Sequence, residues 1–433
     1  MSFAALLMFV TFFGWVMLGM PIGYAMLCSS FLYFLVHGGD IGLVAAQSLN
    51  GLSKSFVLLA VPLYVFMANI MNAAGITDRM FDLANLMVGR LRGGLAHVNV
   101  LASVIFSGMS GSALADAAGP GKLEVEMMVK AGYSPGFSAA VSTSSAIIGP
   151  IIPPSIPMVL YGLISGSSIG YLFLGGVIPG LLMGAAQMGV IAVLARRRNF
   201  PVEPRVPRAR AVRIVTGSAP AALTPVILLG GIYTGAVTPT EAAAVAVGYA
   251  LLLALFWYRS LSWKALLETT IDSAKTTSVV AITIAGALVM NYVVAAEQIP
   301  NWLGAQLAGL DLSPTAFLLL INALFLVLGC FLDTLLMLLV VIPIILPAIN
   351  DLGIDLVHFG VIIVINMMIG LVTPPYGELL FLISGVSGIP PMDIIRELGP
   401  FLIVLIGLLI VLVLFPDIVL WLPIQAGYQP AGG

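Results

Sequence analysis

A helix needs about 20 apolar residues to cross a bilayer, and runs of about that length recur throughout this chain. They lie near 3–19, 20–36, 56–74, 137–150, 169–194, 217–234, 239–258, 276–296, 355–370 and 400–421. Of 433 residues, 60% are hydrophobic and only 8% charged. A soluble chain carries about 25% charged residues because its surface faces water. Here most of the surface must face lipid. The fold expected is an all-α, multi-pass protein embedded in a lipid bilayer.

Four further stretches, 95–130, 151–165, 313–350 and 374–385, are too apolar for loops yet broken by Gly, Ser, Pro or a charge. Helical hairpins that enter and leave on one side, and half-helices, explain them best, because irregular backbone at membrane depth is tolerated only inside protein. The stretch 76–92 scatters Asp78, Arg79, Asp82, Arg90 and Arg92 among apolar residues and predicts a helix lying along the interface. The first 20 residues have no basic start and no clear cleavage site, so they read as a retained first span.

Several functions are excluded. There is no basic patch interleaved with aromatics, hence no nucleic-acid partner. Cys28 and Cys330 lie far apart and imply no disulfide framework. His37, His97 and His358 are isolated and read as structural. No phosphate-binding Gly-x-x-x-x-Gly-Lys motif is present, so no nucleotide is expected. A membrane-embedded enzyme would need a His-Glu-x-x-His pair, facing aspartates or a Ser-His dyad, and none is legible.

Residues 196–216 form a basic linker containing Arg196, Arg197, Arg198, Arg205, Arg208, Arg210 and Arg213 against one acid, Glu203. An excess of arginine places it on the cytoplasmic side. It divides the chain into 1–195 and 217–433, and the two halves look related. Gly149-Pro150-Ile151-Ile152-Pro153-Pro154 reappears as Gly370-Leu371-Val372-Thr373-Pro374-Pro375, an offset (370 − 149) of 221. Lys54 and Lys275 share that offset. Helices broken at matching places in two halves point to a transporter's binding site.

The chemistry of those breaks fits a cation. Proline cannot donate to the carbonyl four residues back, so Pro153 and Pro374 free the carbonyls of Gly149 and Gly370, and Pro154 and Pro375 free those of Pro150 and Leu371. A dehydrated sodium ion is a natural partner for such groups; a kink repaired by waters or Ser/Thr hydroxyls is the alternative. The segment from Ser107 to Asp116 (Ser-Gly-Met-Ser-Gly-Ser-Ala-Leu-Ala-Asp) is a small-residue turn with hydroxyls, suited either to a hairpin tip near an anionic group or to a tight helix–helix contact. Intramembrane carboxylates are functional candidates by default, so Asp116, Asp333 and Glu378 stand out, although each can instead cap a helix or pair with a lysine such as Lys122.

With these motifs in view, the chain resembles the large membrane subunit of tripartite ATP-independent periplasmic (TRAP) transporters. The resemblance rests on Ser107-Gly108-Met109-Ser110-Gly111-Ser112, Gly132-Tyr133, the two Pro-Pro segments, the run 172–180, Gly230-Gly231-Ile232-Tyr233-Thr234-Gly235 and Thr238-Pro239-Thr240-Glu241-Ala242. It implies two inverted repeats with re-entrant hairpins (about 95–130 and 313–350) and broken helices (137–165 and 355–385), arranged as a scaffold plus an elevator-type transport domain. It implies one sodium (Na+) site at Ser107, Ser110, Gly149, Ile152 and Pro154, and a second at Gly329, Gly370, Thr373 and Tyr376. Substrate would sit near Ser110, Ser112 and Asp333.

The resemblance further implies a bacterial inner-membrane importer of small organic acids, driven by sodium. It would work with a small membrane subunit of about four spans and a periplasmic substrate-binding protein. The chain has no extra N-terminal helices that would suggest a fused small subunit. Asp116, the run 119–122, Tyr376 and Glu378 depart from the commoner pattern and bear on substrate identity. The rivals are a single-component sodium-coupled dicarboxylate carrier and a purely structural subunit.

Overall fold

Apolar composition, with side-chain caps at several helix starts, gives a chain that is mostly helical. The computed structural model describes residues 2–54, 56–198, 200, 202, 206–302 and 312–430, and contains no strand among them. Among the described residues, seven helices are long and apolar enough to cross a membrane: Phe56–Ala73, Ile169–Arg197, Arg208–Tyr233, Pro239–Trp257, Trp263–Ala296, Thr334–Asp351 and Pro391–Leu414. Glu203 and Arg205 of the basic connection lie outside the described residues.

Element bounds differ from the apolar runs at several places. The run at 276–296 begins at Trp263 because the Ser262 hydroxyl accepts from the Ala265 amide, an N-cap. The run at 217–234 begins at Arg208, inside the basic connection. The run at 400–421 divides into Pro391–Leu414 and Pro416–Gln425, because Pro416 cannot continue the preceding helix. The interfacial stretch forms the helix Ile76–Val88.

The interrupted stretches 95–130 and 313–350 are helix pairs, and 151–165 and 374–385 each hold the second arm of a broken helix. The first hairpin runs up Gly94–Ser110, turns at Gly111 and Ser112, and returns through 113–130. Gly111 takes φ +64°, a conformation glycine adopts without penalty, and the Ser112 hydroxyl caps the return arm. The first broken helix comprises Pro135–Ala146 and Ile156–Ser165. The second hairpin comprises Pro314–Gly329 and Thr334–Asp351, and the second broken helix Leu356–Gly370 and Glu378–Ser387.

The offset of 221 recurs at some of these bounds. The return arms begin at 113 and 334 and end at 130 and 351. Each carries a five-residue π-helical segment, Ala117–Gly121 and Met337–Val341, a widening often found at functional sites. Both Pro-Pro bonds, Pro153-Pro154 and Pro374-Pro375, are cis.

The two halves pack across each other. Ile169–Arg197 lies on Leu356–Gly370, and Pro391–Leu414 on Pro135–Ala146. Arg198, at the end of the first of these, meets Glu397, near the start of its counterpart, at 2.8 Å. Tyr161 donates to the Leu356 carbonyl at 2.8 Å. Around this unit, Ile22–His37, Ala60–Ala73, Pro239–Leu252 and Trp263–Ala296 pack on one another, joined by Asn69 Nδ2 donating to Ser273 Oγ at 2.9 Å. Outward-facing residues such as Val212, Leu223 and Val226 are exposed, as a lipid-facing surface requires.

Candidate functional site

The two hairpin tips and the two helix breaks meet at one cavity of about 700 Å³. Ser110 and Ser112 reach it from the first tip, and Asp333 and Thr334 from the second. Pro150 and Ile156 line it from the first break, and Leu371 and Glu378 from the second. Four helix starts therefore face one space: Ala113, Ile156, Thr334 and Glu378. Amide groups at helix starts have no intrahelical partner and carry partial positive charge, which suits an anionic group.

Most residues proposed for the first sodium site are close together. A Cβ on Gly111 would come within 2.6 Å of the Pro154 carbonyl oxygen, so the tip presses on the break. A Cβ on Gly149 would lie 2.3 Å from Asp116 Oδ2. The Asp116 carboxylate thus lies against the broken helix and faces the Ser110 hydroxyl. Neither Asp116 Oδ2 nor Ser110 Oγ completes a hydrogen bond of ordinary geometry. Ser107 is buried, and its hydroxyl donates to the Val104 carbonyl of its own helix. Ile152 is buried against the long helix, where a Cβ on Gly180 would meet its side chain.

At the second set, Gly329 and Gly370 touch backbone to backbone: a Cβ on Gly370 would lie 2.8 Å from the Gly329 Cα. Thr373 closes a turn on the same residue, its amide donating to the Gly370 carbonyl at 3.0 Å. Its hydroxyl donates to the Ile369 carbonyl at 2.7 Å. Tyr376 differs from the other three. Its ring is 64% exposed and packs on Phe331 at 5.6 Å, so only its backbone is left to take part in a site at the break.

The carbonyls that the prolines release are less free than the sequence suggests. Gly370 accepts from Thr373, and Leu371 from the Leu379 amide at 3.0 Å. Pro150 accepts from the Ser155 hydroxyl, the hydroxyl repair weighed above. Gly149 accepts no such bond among the described residues. A carbonyl has two lone pairs, so a turn hydrogen bond leaves room for a cation.

Asp333 is both a cap and a cavity wall. Its Oδ2 accepts from the Leu335 amide at 3.0 Å, and its carboxyl group interacts directly with that of Glu378. Lys122 is exposed. Sequence reading missed the buried asparagines that join each hairpin to its broken helix. Asn99 donates to Ser142 Oγ at 2.6 Å and accepts from Ser145 Oγ at 2.7 Å. Asn366 donates to the carbonyl and side-chain oxygens of Asn322 at 2.7 and 2.9 Å. A polar residue inside an apolar run was the available signal.

Comparison with known proteins decides the family. The model of the tripartite ATP-independent periplasmic transporter DctM component matches residues 9–418. The chain belongs to this family. It is 42% identical over 415 residues to the sialic acid TRAP transporter large permease protein of Vibrio cholerae, covering 95% of this chain and 97% of that one. It is 38% identical to the 2,3-diketo-L-gulonate TRAP transporter large permease protein of Escherichia coli, covering 95% and 97%. It is 39% identical to the C4-dicarboxylate TRAP transporter large permease protein of Pseudomonas aeruginosa, covering 91% and 92%. These relatives are named as permeases, not enzymes. Among solved structures, the Alcanivorax borkumensis YdaH transporter is similar at a TM-score of 0.62 and 14% identity, over 86% of this chain and 87% of that one. That likeness concerns the fold alone.

Proposed function

We propose that this TRAP large permease carries a small organic carboxylate into the cell across the bacterial inner membrane, coupled to the sodium gradient and without nucleotide. Its partners are a small membrane subunit and a periplasmic binding protein that delivers the substrate. The observation that carries this reading is the single cavity on which both hairpin tips and both helix breaks converge. In it, four helix starts favour a carboxylate, and the backbone at Gly149 and at the Gly329–Gly370 contact suits a desolvated cation.

The direction of matched elements supports inverted repeats. Ile169–Arg197 and Pro391–Leu414 correspond along the sequence, yet the end of one meets the start of the other at Arg198–Glu397. The hairpins and broken helices, packed across one another, form the moving unit of an elevator, and the surrounding helices form its scaffold. Sodium sits at two places, one near Ser107, Ser110, Gly149, Ile152 and Pro154, the other near Gly329, Gly370, Thr373 and the Tyr376 backbone. Substrate lies between the tips at Ser110, Ser112 and Asp333.

The test is uptake into proteoliposomes holding the chain and its small membrane subunit, under an inward sodium gradient, with and without the cognate binding protein. Uptake that needs both sodium and the binding protein is expected. Sodium-driven uptake by the chain alone would replace this reading with the single-component carrier.

A further inference from the structure

A hydrogen bond outside the cavity fastens the second hairpin to the surrounding helices. Pro343 has no amide hydrogen, so the Leu339 carbonyl, four residues back, is released from its own helix. Leu339 is buried in the π-helical segment Met337–Val341 of the return arm. That segment packs on the scaffold helix Trp263–Ala296. From the scaffold helix, Asn291 Nδ2 donates to the released carbonyl at 2.9 Å. Asn291 Oδ1 is buried without a partner among the described residues. The amide is thus only half satisfied, which lowers the cost of letting go.

The first hairpin meets its own scaffold helix differently. Asn72, on Ala60–Ala73, lies against Gly119 of the π-helical segment Ala117–Gly121. A Cβ on Gly119 would lie 3.1 Å from Asn72 Nδ2. Asn72 Oδ1 accepts from the Thr77 hydroxyl at 2.8 Å, but among the described residues no hydrogen bond joins Asn72 to the hairpin. A cavity of about 20 Å³ lies between Asn69 and Asn72 on one side and Ser110, Asp116 and Pro120 on the other, room for one water. The two asparagines match by element rather than by position, since 291 − 221 is 70. One contact is closed and its counterpart is open.

Halves related by an inverted repeat exchange surroundings when a moving unit crosses from one side of the membrane to the other. A bond closed in one half is then expected in the other half after the move. We propose that Asn291 and Asn72 are alternating latches. Asn291 holds the second hairpin to the scaffold in the present state, and Asn72 takes hold of the first hairpin in the opposite state. Neither lines the cavity between the tips, so both are positioning residues that act through the hairpin backbone. This inference rests on the reading of the hairpins and broken helices as a unit that moves against a scaffold.

The experiment follows that unit in proteoliposomes holding the chain and its small membrane subunit, with no substrate added. Spin labels are placed at Val245→Cys on Pro239–Leu252 and at Leu320→Cys on Pro314–Gly329, both exposed positions, in a chain with Cys28→Ser and Cys330→Ser. Double electron–electron resonance is expected to give two distances, one matching the present separation, and their ratio reads the two states. Asn291→Leu keeps the side-chain size but removes the donor, and should shift the ratio about fivefold away from the present state. Asn72→Leu should shift it about fivefold towards the present state. The double variant should return near the starting ratio, and Asn291→Gln should recover part of the single loss. Where a leucine variant does not fold, Asn291→Ser and Asn72→Ser read the same ratio. Shifts in the same direction, or a ratio that either substitution leaves unmoved, would overturn the latches and leave the moving unit standing. A single distance that neither sodium, the binding protein nor any variant alters would remove the moving-unit reading itself.

Discussion

The first hairpin and its broken helix share a backbone plan with the second pair, but the two differ in what they place at the point of contact. In the first, the glycine of the break meets a side chain, Asp116 Oδ2 against Gly149. In the second, glycine meets glycine, with Gly370 on Gly329. A side chain can rotate away from an intruding methyl group, whereas backbone inside a close-packed core cannot. The two sites are therefore expected to differ in tolerance although their element bounds agree. One plan thus serves two sites with different freedom to change.

The largest expected effect exploits that difference. Gly370→Ala puts a methyl group 2.8 Å from the Gly329 Cα and 3.1 Å from its carbonyl oxygen. It should lower stability by about 1–3 kcal/mol and abolish sodium-driven uptake. Gly149→Ala should be milder, and Asp116→Ser in the same chain should restore part of its thermal stability. Equal loss in both single variants, with no rescue, would show that the first contact is as rigid as the second.

A smaller effect is expected from the prolines. Pro374→Ala with Pro375→Ala lets the helix recapture the Gly370 and Leu371 carbonyls, and the half-saturating sodium concentration for uptake should rise about tenfold. Because Gly370 and Leu371 already accept from Thr373 and Leu379, the matching change at Pro153 and Pro154 should cost more, as Gly149 has no such bond to exchange among the described residues. Unchanged sodium dependence in both double variants would remove the carbonyls from the coupling site.

Legibility from sequence divides along the same line. Both hairpins and both broken helices were visible as apolar stretches interrupted by Gly, Ser and Pro, because breaking a helix in lipid demands particular residues. The offset of 221 was visible in the Pro-Pro segments for the same reason. Ser110, Gly149, Gly329 and Gly370 were marked by their motifs, and the structure brings Gly329 to Gly370 and Ser110 to the Asp116 that lies on Gly149. Sequence did not reveal that Asp116 lies on Gly149, since a carboxylate 33 residues away along the chain (149 − 116) gives no sign of its facing partner. Nor did it reveal that Tyr376 turns outward, or that Ser155 and Thr373 meet carbonyls thought free. Those are matters of packing and rotamer, which motif and periodicity do not carry. Helix starts at Trp263 and Arg208 were missed because hydropathy locates apolar cores, whereas these helices extend through polar residues, the first from a Ser262 cap and the second from Pro207.

The buried asparagines sharpen the comparison at the level of stability. Asn366→Ala removes two hydrogen bonds to Asn322, and Asn99→Ala removes two to Ser142 and Ser145. Interhelical bonds of this kind are worth about 1 kcal/mol each in a membrane protein, so thermal unfolding in detergent should give losses of about 2 kcal/mol for both. If one variant were neutral, the hairpin–helix clamps would not be equivalent in the two halves.

The smallest effect lies at the second arm of each break. Ser155 caps Ile156–Ser165 by accepting from the Met158 amide at 3.2 Å, and its hydroxyl also meets the Pro150 carbonyl. The corresponding arm, Glu378–Ser387, starts after Gly377 with no side-chain cap. A Cβ at Gly377 would lie 2.6 Å from the Leu371 carbonyl oxygen, so no capping side chain fits there. Ser155→Ala should therefore cost about 1 kcal/mol and speed hydrogen exchange at the Met158 amide, while leaving exchange in the uncapped Glu378 arm unchanged. Faster exchange in both arms would mean that the breaks are mechanically coupled through the cavity they share, and that Ser155 holds both rather than only its own half.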